Sequence, residues 1–226
     1  MSDPRLVIFD MDGTLIDSQQ EILAAMSAAF ALGGHPEPSS EAVLSIVGLS
    51  LPEAMCSLAP HLSAAEIALL VEYYKRSFLE HKASGTTPIP LYPGAKAALE
   101  SLAAVPDTLL GIATGKARRG LDRVFSIHAL EHYFVTLQTA DIHPSKPHPS
   151  MVEQALRETG CAPNRTVMVG DTEFDMEMGR AAGVWTIGVN WGYHPHERLV
   201  AAGADYVIDS YAALPHTLTE VWGRAQ

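Results

Sequence analysis

Two carboxylates one residue apart, Asp10 and Asp12, directly follow the apolar run Leu6-Val7-Ile8-Phe9 and precede Gly13-Thr14. Residues two apart in an extended segment point the same way. If the strand ends at Asp10, both acids therefore share the mouth of a sheet rather than its core. One carboxylate can attack while its neighbour moves protons. Like charges this close resist joint ionisation, and a divalent cation relieves that repulsion. The pair suits chemistry on phosphate. Three further groups also follow apolar runs: Thr114-Gly115-Lys116, Lys146 in Ser145-Lys146-Pro147-His148-Pro149, and Asp171 and Asp175 in Gly170-Asp171-Thr172-Glu173-Phe174-Asp175. The carboxyl ends of strands are where open α/β sheets bind ligands.

Leu6–Phe9, Leu109–Ala113, Phe134–Leu137, Thr166–Val169 and Trp185–Val189 read as buried parallel strands, with Tyr206–Ile208 a candidate sixth. Helical segments alternate with them, among them Ala95–Ala104, Ser150–Thr159 and, less clearly patterned, Gly120–Ile127. The alternation predicts an α/β fold with a doubly wound, mostly parallel sheet.

One interval breaks the rhythm. From Gln19 to His81 the chain reads as helix: Gln19–Leu32 stopped by Gly33-Gly34, then Glu41–Val47, Glu53–Leu58 and Ser63–His81. Ser63 and Glu66 form a capping box, and Ile67, Leu70, Val71, Tyr74 and Phe78 share one face. Pro88, Pro90 and Pro93 favour an extended return over 85–94. The expected organisation is an α/β core of residues 1–17 and 86–226 with an all-helical insert over 18–85. Two adjacent connections would let the insert move as a lid.

The 226 residues carry a net charge of −11, and 47% are hydrophobic. A sizeable core is expected. Nucleic acid and anionic membranes are excluded as partners, since both demand clustered Lys and Arg. An anionic substrate must be captured by a local positive site. Cys56 and Cys161 form no CxxC pair and read as reduced thiols. No leader-like segment and no bilayer-length apolar stretch is evident, so a cytoplasmic location is the expectation.

In order along the chain, DMDGTLIDS, GIATG, SKPHP and GDTEFD resemble the four motifs of the haloacid dehalogenase superfamily of phosphatases, and the inserted helices resemble that family's small α-helical cap. The resemblance implies Asp10 as nucleophile, forming an aspartyl-phosphate, and Asp12 as proton donor and acceptor. It implies Thr114 and Gly115 at the phosphoryl group and Lys146 as its charge stabiliser. Mg2+ would be held by Asp10, Asp171 and the carbonyl of Asp12, with Asp175 acting directly or through water. The cap turn Val47-Gly48-Leu49-Ser50-Leu51-Pro52 resembles the substrate-facing loop of the phosphoglycolate phosphatase subgroup, which places Gly48 and Leu49 beside the substrate. The implied partner is a small phosphorylated metabolite, and the chain is expected as monomer or homodimer.

Alternatives separate on single residues. A dehalogenase needs no Asp12. A phosphonoacetaldehyde hydrolase needs a cap lysine, for which Lys75 and Lys82 are the candidates, among neighbours (Tyr73, Tyr74, Arg76) that read as ordinary amphipathic surface. A β-phosphoglucomutase must grip a second phosphate, and the cap turn carries no Arg or Lys. Pyrophosphate ranks between small phosphomonoesters and the mutase reaction. A receiver domain that holds phospho-Asp without turnover needs neither cap nor second acid. The histidines lack zinc-site spacing. His148 and the Trp191-Gly192-Tyr193-His194 loop are placed equally at the site's mouth or in loop packing, and Lys116 is expected on the surface.

Overall fold

The computed structural model describes residues 4–83 and 89–224. Pro88, the expected boundary between residues 85 and 86, and the side chain of Lys82 lie outside what is described.

Six parallel strands form one sheet in the order β3-β2-β1-β4-β5-β6. They are β1 (Arg5–Phe9), β2 (Thr108–Thr114), β3 (Phe134–Thr139), β4 (Thr166–Gly170), β5 (Trp185–Val189) and β6 (Tyr206–Ile208). Alternation within β1 explains why both faces must be covered. Val7 and Phe9 belong to one apolar cluster, with helices α5 (Ala95–Ala103), α6 (Arg118–His128) and α10 (Leu214–Arg224). Leu6 and Ile8 belong to the cluster on the other face, with α7 (Ser150–Thr159) and α8 (Glu173–Ala181). The sheet is doubly wound, and its order reverses at β1.

The insert contributes α1 (Gln19–Gly33), α2 (Ser40–Leu44), α3 (Leu51–Leu58) and α4 (Ala64–Ala83). These helices bury a cluster of their own. Ile22, Met26, Ala29 and Phe30 of α1 pack on Ile67, Leu70 and Val71 of α4, with Val43, Met55 and their neighbours filling the base. Gly34 ends α1 in the left-handed region (φ 72°), and the Ser63–Glu66 capping box is formed. The segment expected as a helix over 41–47 stops at Leu44. The chain then turns through Ile46 and Val47 to the left-handed Gly48 (φ 102°), which brings this turn onto the core.

The connections between the two parts run side by side. Asp17 N–H donates to Pro90 O (2.9 Å), and Tyr92 N–H donates to Leu15 O (3.0 Å). The polypeptide thus leaves and re-enters the core through one narrow two-stranded ribbon.

Candidate active site

The sheet reverses where β1 and β4 lie together, and the chemistry-bearing residues gather at their carboxyl ends. Asp10 N–H donates to Val169 O (2.9 Å), so the end of β1 is registered against β4 before either acid is presented. Carboxylate oxygens of Asp10, Asp171 and Asp175 lie within 4.8 Å of one another, and all three residues are buried. Lys146 reaches in from beyond β3. Its Nζ stands 2.6 Å from Asp175 Oδ1 and 3.0 Å from Asp10 Oδ1. Residues distant in sequence are therefore brought to one point, as their strand-end positions require.

Each acid is held differently. Asp175 Oδ2 accepts from Thr172 N–H (3.1 Å) and Thr172 Oγ1 (2.7 Å), a capping box that starts α8. With Lys146 on its other oxygen, this carboxylate is fully engaged. Asp171 accepts from Thr14 Oγ1 on Oδ1 and from Tyr193 N–H on Oδ2, both at 2.9 Å. The approach is so close that a Cβ on Gly13 (φ 80°) would collide with the Asp171 carboxylate. Asp10 is the exception, since its buried Oδ2 has no hydrogen-bond partner.

Burial pushes the Asp10 carboxyl up to about 7; Lys146 opposes this, while Asp175 and Asp12 add to it. Burial likewise raises Asp171 well above the usual carboxylate range, reinforced by Asp175 and Asp10. Burial disfavours charge on Lys146 as well, but Asp10 and Asp175 outweigh it and hold the amine charged. Four acids (Asp10, Asp12, Asp171 and Asp175) thus face two ammonium groups, Lys146 and Lys116. Hard carboxylate oxygens, one without a partner, in a site with excess negative charge fit a divalent cation.

The structure corrects the expectation for Lys116. Its side chain is only 9% exposed, and Nζ pairs with Asp12 Oδ2 at 2.9 Å. Phe78 of the cap lies under the ammonium, 5.5 Å away. Lys116 follows Thr114 by two residues, so the turn after β2 carries it inward, as the turn after β1 carries Asp12. Ser18 Oγ holds the other Asp12 oxygen (2.5 Å) and also contacts Tyr193 Oη (3.1 Å). Ser18 closes the DMDGTLIDS motif and Tyr193 lies in the loop offered for the site's mouth, but their contact with each other is tertiary and carried no sequence signal. Tyr74, expected on an ordinary surface, lines the site instead, and burial raises its hydroxyl's pKa.

A cavity of about 510 Å³ lies between cap and core. Asp10, Asp12, Thr114, Gly115 and Lys116 line it from the core, and Gly48 and Leu49 from the cap turn. The two parts are in contact around it. Ser50 N–H donates to Ser145 Oγ (2.8 Å), and Arg123 pairs with Glu21 (2.6 Å). His194 bridges them: Nδ1 accepts from Glu173 N–H (3.1 Å), which leaves Nε2–H to donate to Ser45 O (3.1 Å). The Trp191–His194 loop therefore borders the site, as Tyr193 and His194 both show. His148 instead accepts from Ser150 N–H within its own exposed loop. Among the described residues the acidic triad is the one metal-type cluster, and no histidine joins it.

Comparison with known proteins shows the family. Residues 7–189 match the family model for haloacid dehalogenase-like hydrolases. The chain is 33% identical over 210 residues to a Dickeya dadantii protein named "Probable phosphatase IndB", covering 92% of this chain and 90% of that protein. It is 29% identical over 224 residues to a phosphoglycolate phosphatase of Vibrio parahaemolyticus, covering 94% and 95% respectively. A solved haloacid dehalogenase-like hydrolase from Streptococcus pneumoniae superposes with a TM-score of 0.81 at 27% identity, covering 96% of this chain and 99% of that one. With the site's acids, lysine and threonine at the strand ends where the motifs lie, the chain belongs to the haloacid dehalogenase-like hydrolases.

Proposed function

We propose that the protein is a Mg2+-dependent phosphatase that hydrolyses a phosphomonoester through an aspartyl-phosphate on Asp10. The observation that carries this reading is the buried, partnerless Oδ2 of Asp10, next to a lysine that is itself fully buried. An unsatisfied buried carboxylate oxygen is costly, and a nucleophile must keep a lone pair free.

Asp10 Oδ2 attacks phosphorus, and the bond to the leaving oxygen breaks. Asp12, presented on the same side by the single-residue spacing, gives that oxygen a proton. Asp12 then takes a proton from the water that cleaves the acyl phosphate, regenerating Asp10 and releasing inorganic phosphate. Lys146 offsets charge on the transferring group, and Thr114 Oγ1 bonds one of its oxygens. Gly115 leaves room for the cap turn above them. Asp10, Asp171 and the carbonyl of Asp12 would hold Mg2+, which would supply the neutralisation a phosphate dianion needs to approach a carboxylate. Asp175, with both oxygens engaged by Lys146 and Thr172, would support this set from behind rather than offer a free oxygen.

Phosphoglycolate, named for the similar Vibrio protein, is the first small ester to assay. Against a mutase, the charged residues around the cavity are largely committed elsewhere: Arg123 to Glu21, Lys75 to Glu72, Lys116 to Asp12. The test is Asp10→Asn with p-nitrophenyl phosphate and Mg2+. Phosphate release should vanish while the circular dichroism spectrum and cooperative melting are retained, and EDTA should silence the unmodified enzyme. Undiminished kcat in the Asn variant would refute the nucleophile assignment.

A further inference from the structure

The cap side of the cavity has a chemistry the phosphoryl site does not explain. Its walls are Ile22, Met26, Val47, Leu51, Val71 and Phe78. Ile22, Met26, Val47 and Val71 belong to the cap's own apolar cluster and present its edge to the cavity. The charged lining residues gather on the core side and at the rim, where Lys116 and Arg123 reach the Phe78 ring at 5.5 and 5.3 Å. Asp10, Asp12 and Lys116 belong to the phosphoryl site, and Arg123 is paired with Glu21. Lys75, Arg119 and Asp141 stand exposed at the rim. The cavity is thus polar at one end and apolar at the other.

Size points the same way. Phosphoglycolate has about nine non-hydrogen atoms; at the ~30 Å³ a water takes in the liquid, they fill about 270 Å³. That is roughly half of the 510 Å³ present. Its carboxylate would also face apolar wall, and a charge moved from water to such surroundings without a partner is strongly disfavoured. Pyrophosphate meets the same objection.

Building on the phosphomonoesterase reading, we infer that the preferred substrate carries a bulky, largely apolar leaving group that fills the cap side of the cavity. The phosphoryl group sits against Asp10 and Thr114. The leaving group extends past the Gly48–Leu49 turn and buries apolar surface against α1, α3 and α4. The reaction is unchanged: the P–O bond to the leaving group breaks, and its oxygen takes the proton from Asp12.

A homologous series tests this: ethyl, butyl, hexyl and 2-phenylethyl phosphate, with phosphoglycolate as the charged comparison. All release a primary alkoxide, so differences report contact with the cavity more than leaving-group chemistry. With the unmodified enzyme and saturating Mg2+, kcat/KM should rise about fourfold per methylene, the value of burying one CH2, and reach about two-hundredfold between ethyl and hexyl. Phosphoglycolate should fall below hexyl phosphate. Val71→Phe, which fills part of the cavity, should reduce the hexyl-to-ethyl ratio; should that variant not fold, the series on the unmodified enzyme decides alone. A flat series, or phosphoglycolate outperforming every apolar ester, overturns the inference while leaving the phosphatase reading intact. No phosphate release from any ester, p-nitrophenyl phosphate included, overturns both.

Discussion

At the residue scale, the site keeps charge in unfavourable places and compensates it locally. Asp10 shows this most directly. With its carboxyl raised from 3.8 to about 7, the folded protein binds a proton between those values that the unfolded chain does not. Stability from this group is therefore present at low pH and lost as pH rises through about 7. A divalent cation binds the ionised form, so its affinity should be about tenfold weaker at pH 6 than at pH 8. Melting temperatures with and without Mg2+ check this: the metal-induced rise should be larger at pH 8. Equal shifts at both values would show that Asp10 is already ionised without metal. Lys116 gives a second prediction. Lys116→Met leaves Asp12 with only Ser18 to orient it, and a misplaced proton donor should lower kcat about ten- to a hundredfold while the melt, though shifted down by the lost counter-charge, stays cooperative and above assay temperature. Steady-state kinetics beside a thermal melt separate that outcome from simple unfolding.

At the element scale, the cap and core meet through backbone as much as through side chains. A Cβ on Gly115 would lie 2.5 Å from Gly48 O and 2.6 Å from Leu49 O. Both atoms are main chain, so no rotamer change can relieve the clash. Gly115→Ala should hold the cap turn away from Thr114, raising KM several-fold with a smaller fall in kcat; an unaltered KM would mean the turn moves freely. The strands were legible because β1, β2, β4 and β5 are buried on both faces, which writes them as short continuous apolar runs. The first-strand acids and the GDTEFD segment were legible because their chemistry is local, one residue or one helical turn apart. Lys116 was not, since its partner Asp12 lies across the fold and nothing in its neighbouring residues marks an inward course; the Ser18–Tyr193 contact is hidden for the same reason. The second helix of the cap was read too long for a related reason. Ile46 and Val47 continue the apolar pattern, yet their burial is obtained in a turn rather than on a helix face.

At the scale of the whole molecule, a net charge of −11 opposes an incoming phosphate dianion. The countering ammonium groups of Lys116 and Lys146 lie inside the site, within a few ångströms of the acids they neutralise. Screening distinguishes the two fields. The Debye length is about 30 Å at 0.01 M salt and about 8 Å at 0.15 M, so added salt removes the distant repulsion before the local attraction. At saturating Mg2+, kcat/KM for a dianionic ester should therefore rise about two- to fivefold over that range. A fall would mean that the rim residues Lys75 and Arg119 steer the substrate more strongly than the remaining surface repels it.

One side chain touches all of these scales. The Trp191 indole donates to the Thr14 carbonyl (3.0 Å) inside the loop that carries Gly13, and packs against Tyr92 of the ribbon and Tyr211 of the core. Trp185 and Trp222 lie away from that junction, Trp185 bonded to Asn164 O and Trp222 beside Arg5. The chain thus carries its own optical reporter: of its three indoles, this one borders both the loop that seats Asp10 and the ribbon that joins cap to core, with no dye attached.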